Sequence, residues 1–412
     1  MTASDVHPAP GATVPEGRVA EGVAAAWMVL NDPAAQVNAT TWKRQVPLYL
    51  AAVDAVLPAD ALGGAELAAV AADLAADGDR RAAHARVTDV VRRHVARADL
   101  ASAEERLAAV AERGLTQLWL GGVPGAPQAP VRPADATPLD VAVVVPVRVR
   151  EPARLRNVEV ALRVLRRTLR PDDHVHVVLV EQDDEQRLPA TVRELADDVV
   201  LAWNPGPFNK GWSVNLGVER TDEPTVCVLD GDYVLVRDAL HRAVQDAADA
   251  AVAFPHTDAI WLDPASTDRV AASSVAPGLV AADVGPQQVT GYVLRDTLGL
   301  CLVVRRDLFD AVDGFDERYE GWGDEDNDLI RRLAELGPVV RADATGMHLD
   351  HPRPVMTDAE GVRPNKALVG TARPVDRPRR GDPDRYRRAR PHAPSPDGTS
   401  AAARHETEAR QP

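Results

Sequence analysis

Apolar positions divide the chain into two textures. From about Arg18 to Leu120 they recur at helical spacing: Leu62, Leu67, Val70 and Leu74, then Val87, Val90, Val91 and Val95, then Leu107 and Val110. Gly63-Gly64 and Asp77-Gly78 interrupt these runs where helices break. The pattern predicts four or five Ala-rich helices in a small bundle or cap over residues 21–122, behind a loose Pro-, Gly- and Ala-rich segment at 1–20. A Pro-rich stretch at 123–138 then reads as a linker. Beyond it the period changes. Val141–Val145 is a short unbroken apolar run, as expected of a parallel strand buried on both faces. A helix over about Pro152–Thr168 follows. Strands at Val175–Val180, Val199–Trp203 and Thr225–Leu229 alternate with helices near Leu188–Ala196 and Lys210–Glu219. This alternation predicts a doubly wound α/β sheet within 139–370, with ligands at the carboxyl ends of its strands. The tail at 371–412 holds seven Pro, ten Arg and six acidic residues with almost no apolar content, so disorder is expected there.

Composition narrows the function classes. Of the 412 residues, 45% are hydrophobic and 26% charged, which excludes a wholly disordered or fibrous chain. The net charge of −15 argues against a protein built to grip nucleic acid, since phosphate binding wants a basic footprint. The tail carries +4 and is open to contact with an anionic surface, a solvated tail being the plainer reading. Cys227 and Cys301 lie in apolar runs and read as buried thiols in a reducing compartment. A basic n-region with an apolar h-region is not seen at the N-terminus, and no run of 18 apolar residues occurs, so the expected location is cytoplasmic. Oligomeric state is not legible.

Five polar motifs fall at strand ends. Asp230-Gly231-Asp232 closes a buried strand, and paired carboxylates on such a turn suit a hard divalent cation whose shell a substrate phosphate completes. A solvated turn is the bland alternative. In Gly321-Trp322-Gly323-Asp324-Glu325-Asp326-Asn327-Asp328 two glycines bracket an aromatic that can face a ligand. The acids after it open a helix continuing through Leu329, Ile330, Leu333 and Leu336. Acids at a helix N-terminus are stabilised by its dipole, but a cap needs one or two, and a carboxylate pair beside a Trp platform suits holding a sugar and taking its proton. His348-Leu349-Asp350-His351 offers two imidazoles as metal ligands or phosphate donors. Arg148 and Arg150 offer guanidiniums to a diphosphate or carboxylate, and Phe208-Asn209-Lys210 opens a helix with an aromatic, an amide and a cation. The helices at 21–122 carry no such constellation; a partner- or acceptor-binding module and a structural appendage both stay open.

In this order the motifs resemble the β-1,4-galactosyltransferase catalytic domain: Pro146-x-Arg148-x-Arg150, Phe208-Asn209-Lys210, Asn215-x-Gly217, Asp230-x-Asp232, then Gly314-Phe315 and Trp322-Gly323-x-Glu325-Asp326-x-Asp328. The related polypeptide N-acetylgalactosaminyltransferases and chondroitin-type transferases share the pattern. The resemblance covers about Asp140–Asn365 and implies a GT-A doubly wound mixed sheet over 139–370, preceded by the helical domain. It further implies a metal-dependent inverting transfer of a hexose, galactose or N-acetylhexosamine, from a nucleotide-sugar, UDP-linked in the family, to an acceptor hydroxyl of a saccharide or glycoconjugate. By resemblance Pro146, Arg148, Arg150, Glu181, Phe208 and Lys210 contact the nucleotide diphosphate, with Asp230 and Asp232. Asp232, His351 and His348 would hold Mn²⁺ (or Mg²⁺). Trp322, Gly323 and Glu325 would bind the sugars, and Asp326 would be the general base, with Glu325 beside it. Two positions depart from the family pattern: Asp324 stands for a Gly and Asn327 for an Asp. The alternatives are a GDP-mannose-type donor, or a degenerate domain that binds saccharide or nucleotide without turnover. All the proposed donor ligands fall within 133–370, so that span is expected to bind nucleotide alone.

Overall fold

The computed structural model describes residues 16–35, 39–76, 78–95, 100–113, 116–117, 137–235, 238–275, 289–295, 297–342, 344–352, 362–374, 376 and 378–388. The loose segment expected at 1–20 lies outside the described residues only over 1–15, for Glu16–Ala20 already belong to the first helix; the linker expected at 123–138 lies outside them over 123–136, and the tail from 389 on.

The N-terminal region is helical: Glu16–Asn31, Ala39–Asp54, Ala59–Leu62, Ala65–Ala75, Arg80–Val95 and Leu100–Arg113. The periodic residues do what their spacing predicts, since Leu67, Val70, Leu74, Val87 and Val91 bury against Val23, Trp27 and Tyr49 in one core. Each such side chain contributes about 1.5–3 kcal/mol by leaving water.

Among the described residues the strands are β1 (Thr116–Gln117), β2 (Asp140–Val147), β3 (His174–Asp183), β4 (Asp198–Trp203), β5 (Thr225–Leu229) and β6 (Tyr233–Val234). They continue with β7 (Val252–Phe254), β8 (Asp258–Leu262), β9 (Gly291–Arg295), β10 (Cys301–Arg305), β11 (Val339–Arg341) and β12 (Thr345–His348). A seven-stranded sheet runs β11-β7-β10-β5-β2-β3-β4. Its β5-β2-β3-β4 half is parallel, and β10 enters antiparallel between β5 and β7. Period-two alternation sends Val141, Val143 and Val145 into one core and Val144 into the opposite one, so β2 is apolar throughout. Helices Pro152–Thr168 and Ala239–Ala247 line the first core; Lys210–Val218 and Glu325–Ala334 line the second.

A second sheet, β1-β9-β8-β12-β6, starts where the first leaves off, because β6 follows β5 after the turn at 230–232. At its other edge β1, which follows the last N-terminal helix, pairs with β9, and Tyr292 of β9 is buried in the helical core. The helices therefore share side chains and a sheet edge with the α/β domain, and a boundary at 133 cuts through these contacts.

The tail departs from expectation at 371–374, 376 and 378–388. Arg373 donates to the Gly314 and Asp313 carbonyls (2.7 and 2.9 Å), Gly381 N to Glu317 (2.7 Å), and Trp212 Nε1 to the Asp382 carbonyl (2.9 Å). The Tyr386 ring meets the edge of Trp212 at 4.9 Å. The order here comes from polar and aromatic partners on the α/β domain, which a lack of apolar residues does not reveal.

Candidate active site

Two side-chain groups meet where β5 ends. Backbone bonds fix the turn: Asp230 N donates to the Leu300 carbonyl (2.8 Å), and Leu349 N to the Asp232 carbonyl (2.8 Å). The first group centres on Lys210. Asn209 caps its helix, Oδ1 accepting from Trp212 N at 2.8 Å, and so aims the next residue across the sheet end. Lys210 Nζ lies 2.8 Å from Asp230 Oδ1 and 3.0 Å from Asp326 Oδ2. Burial acts to strip the ammonium, but Asp230, Asp326 and Glu325 outweigh it and raise the Lys210 pKa above its ordinary value. One cation does not neutralise three acids. Burial pushes Asp230 up to about 6 against the pull of Lys210, and burial with the Asp326 charge pushes Glu325 up to about 8.

Asp326 fits only because residue 299 is glycine. At φ +116°, a Cβ there would stand 2.5 Å from Asp326 Oδ2. Asp326 Oδ1 and Glu325 Oε2 are buried with no hydrogen-bond partner among the described residues, a state few buried polar atoms in folded proteins are left in.

The second group is Asp232, His348 and His351, whose ligand atoms lie within 4.8 Å of one another. His351 Nε2 is 2.9 Å and His348 Nε2 3.4 Å from the Asp232 carboxylate. His351 Nδ1 sits 2.7 Å from the Pro352 carbonyl, which only accepts, so Nδ1 carries a proton and Nε2 is the nitrogen turned to Asp232. Burial works to raise Asp232, and the charges of His348, His351 and Arg154 hold it well below the usual carboxylate range. Two imidazoles and a carboxylate so placed fit a divalent metal ion. The Trp261 ring stacks on His348 at 3.9 Å and 8°.

The aromatic loop is held from outside its own sequence. Gly321 and Gly323 adopt φ +75° and +98°, and Gly321 N donates to the Phe208 carbonyl (2.7 Å). Asn365 Nδ2 donates to the Gly323 carbonyl (2.9 Å). Asp324, also at φ +75°, accepts from Arg363 (2.6 Å) and Asn327 (3.2 Å). The two residues that depart from the family pattern thus bond to each other. Trp322 itself is half-buried. Asp328 turns away to Arg331 and Arg332, both at 2.9 Å.

Other candidates are engaged elsewhere. Arg148 donates to the carbonyls of Gln182, Gly206 and Asn204 (2.8, 2.8 and 3.1 Å), with its guanidinium 5.6 Å from the Phe208 ring centre. Arg150 is exposed and grips Asp183 at 2.6 Å. Glu181 is buried, its Oε1 accepting from Arg187 N and Leu188 N (2.5 and 2.9 Å). Pro146 is buried within β2. These residues shape the loops after β2 and β3. Sequence reasoning passed over Trp261, Arg363, Asn365 and Tyr386. Trp261 had only strand alternation to mark it, and the others lie in polar text without a motif.

Comparison with known proteins places this geometry. The family model described as glycosyl transferase family 2 matches residues 142–312, and the one described as N-terminal domain of galactosyltransferase matches residues 290–351. No curated protein matches the chain. Among solved structures, the catalytic domain of Drosophila β-1,4-galactosyltransferase 7 with xylobiose is 18% identical over 50% of this chain and 67% of that one, at TM-score 0.30. A mutant of that enzyme with manganese, UDP-Gal and xylobiose gives 17%, 52%, 71% and 0.32. The mannosyltransferase PcManGT from Pyrobaculum calidifontis with GDP-Man and Mn²⁺ gives 19%, 54%, 61% and 0.34. With the sheet and the residues at its carboxyl edge, the family matches define a glycosyltransferase of GT-A type. Within that class the chain is galactosyltransferase-like.

Proposed function

We propose that this enzyme transfers a hexose, galactose or N-acetylhexosamine, from a UDP-linked donor to a saccharide or glycoconjugate hydroxyl, with inversion and with a divalent metal. The observation that carries the reading is Asp326: one oxygen is fixed on Lys210, and the other is buried and unpartnered among the described residues. Asp232, His351 and His348 would hold the metal, and the two imidazoles favour Mn²⁺ over Mg²⁺. A divalent cation there supplies positive charge against the departing diphosphate.

The chain's own groups do the rest. Asp326 Oδ1 takes the acceptor proton as the acceptor oxygen bonds to the anomeric carbon and the bond from that carbon to the diphosphate breaks on the opposite face. Lys210 keeps Asp326 oriented. Glu325, protonated at neutral pH, donates a hydrogen bond to a sugar oxygen, and Trp322 offers an aromatic face. Phe208, Arg148 and Glu181 shape the nucleotide side.

Asp326→Asn tests this. Asn preserves shape and removes the base, so kcat with a UDP-sugar should fall about 10²–10⁴-fold while UDP affinity holds. If the acids merely begin a helix, turnover survives, and wild-type rates in a folded Asp326→Asn protein would rule out the assignment.

A further inference from the structure

The N-terminal helices reach the candidate metal site through one row of side chains. Tyr292 of β9 lies in the helical core at 3% exposure. Its hydroxyl donates to Asp32, whose carboxylate also takes Arg80 Nε at 2.6 Å, and Asp32 and Arg80 are themselves buried. In strand register Tyr292 pairs with Trp261 of β8, and Trp261 with His348 of β12. Directly paired residues project to the same face of a sheet. The row therefore runs from a buried ion pair in the helices to an imidazole of the metal group, and its last step is the parallel stack of Trp261 on His348 at 3.9 Å. The strand pair β1–β9 fixes the same edge from the helical side.

We infer that the N-terminal helical domain is a scaffold for the metal site, with Trp261 a positioning residue that sets the plane of the His348 ring. This rests on reading Asp232, His348 and His351 as metal ligands. An imidazole left to rotate about its side-chain bonds must be ordered each time it coordinates; a ring stacked in advance need not be. The helical domain contributes by holding Tyr292, and with it the β8–β9 edge from which Trp261 projects.

Mn²⁺ binding to the full chain, followed by the electron paramagnetic resonance of free Mn²⁺, tests this without turnover. Outer partners of metal-ligating histidines typically change affinity about 10–100-fold, so Trp261→Leu should weaken Mn²⁺ binding about tenfold. Trp261→Phe restores a stacking ring and should recover most of that loss, which general packing damage would not allow. Tyr292→Phe, which removes only the hydroxyl on Asp32, should produce a smaller but measurable loss and gives a reading even if Trp261→Leu does not fold. His351→Ala is the control on the underlying site. If it binds Mn²⁺ like wild type, the metal-site reading falls and this inference with it. If His351→Ala loses Mn²⁺ while Trp261→Leu or Trp261→Phe shows no such pattern, the positioning role alone is overturned. Unchanged binding in Tyr292→Phe removes the part assigned to the helical domain.

Discussion

Lys210 faces more negative charge than it can balance, and proton uptake makes up the difference. Glu325 near 8 and Asp230 near 6 keep protons in the folded chain at pH values where the unfolded chain has released them. The folded state then binds more protons, so stability falls as pH rises from the ordinary carboxylate range through these values. Asp232 acts in the other sense: held low, it contributes stability above its ordinary value of 3.8 that is lost as pH falls further. Glu325→Gln should therefore gain on wild type as pH rises from about 5 to about 8, then hold a constant margin. Thermal melts across that range with metal chelated would show it, and a margin independent of pH would show that Glu325 is not raised. Asp230, Glu325 and Asp326 could be picked out by eye because each sits at the end of a regular element. The engagement of Arg148 could not, since its acceptors are carbonyls 34 to 58 residues away that carry no side-chain signature.

At the scale of elements, the helix Glu325–Ala334 begins from a left-handed residue that is not glycine. Asp324 bears the strain of φ +75°, offset by Arg363 and Asn327. Asp324→Gly removes strain and ion pair together and should change stability by less than about 1 kcal/mol. Arg363→Gln leaves a buried carboxylate short of its partner and should cost about 1–3 kcal/mol. In the double variant most of that cost should vanish, because the acid left stranded is gone; additive melts would separate the two residues. Of the seven-stranded sheet, the parallel β5-β2-β3-β4 half was readable from its apolar runs, above all the unbroken β2. The second sheet was not. β6 has two residues, β12 has four, and β8 pairs with a strand about thirty residues on, so no local period announces them.

Across the whole molecule, the α/β domain is closed from both ends of the chain. Besides Trp212, the segment at 378–388 serves Glu219, which takes Arg380 at 2.6 Å, and Glu320, which accepts from the Tyr386 hydroxyl at 2.6 Å. A chain ended after residue 370 uncovers Trp212 and leaves Glu317 without Gly381 and Arg385. It should melt well below the full chain and bind a hydrophobic dye. One ended after 388 should match the full chain in both measurements, and equal melting of the two truncations would show that these contacts contribute little. The α/β architecture was evident from alternation alone. Its dependence on flanking segments was hidden, because polar contacts between distant residues leave no periodicity.

The bond from Trp212 Nε1 to the Asp382 carbonyl spans 170 residues, and this sets an order of events during synthesis. Translation adds about 5–20 residues per second, so roughly 10–30 s separate the appearance of the indole from that of its acceptor. Through that interval the helix carrying Lys210 can form and dock, but the far side of Trp212 has nothing to cover it. A nascent chain stalled before residue 382 should expose this tryptophan to quencher or chaperone, and release past 388 should hide it.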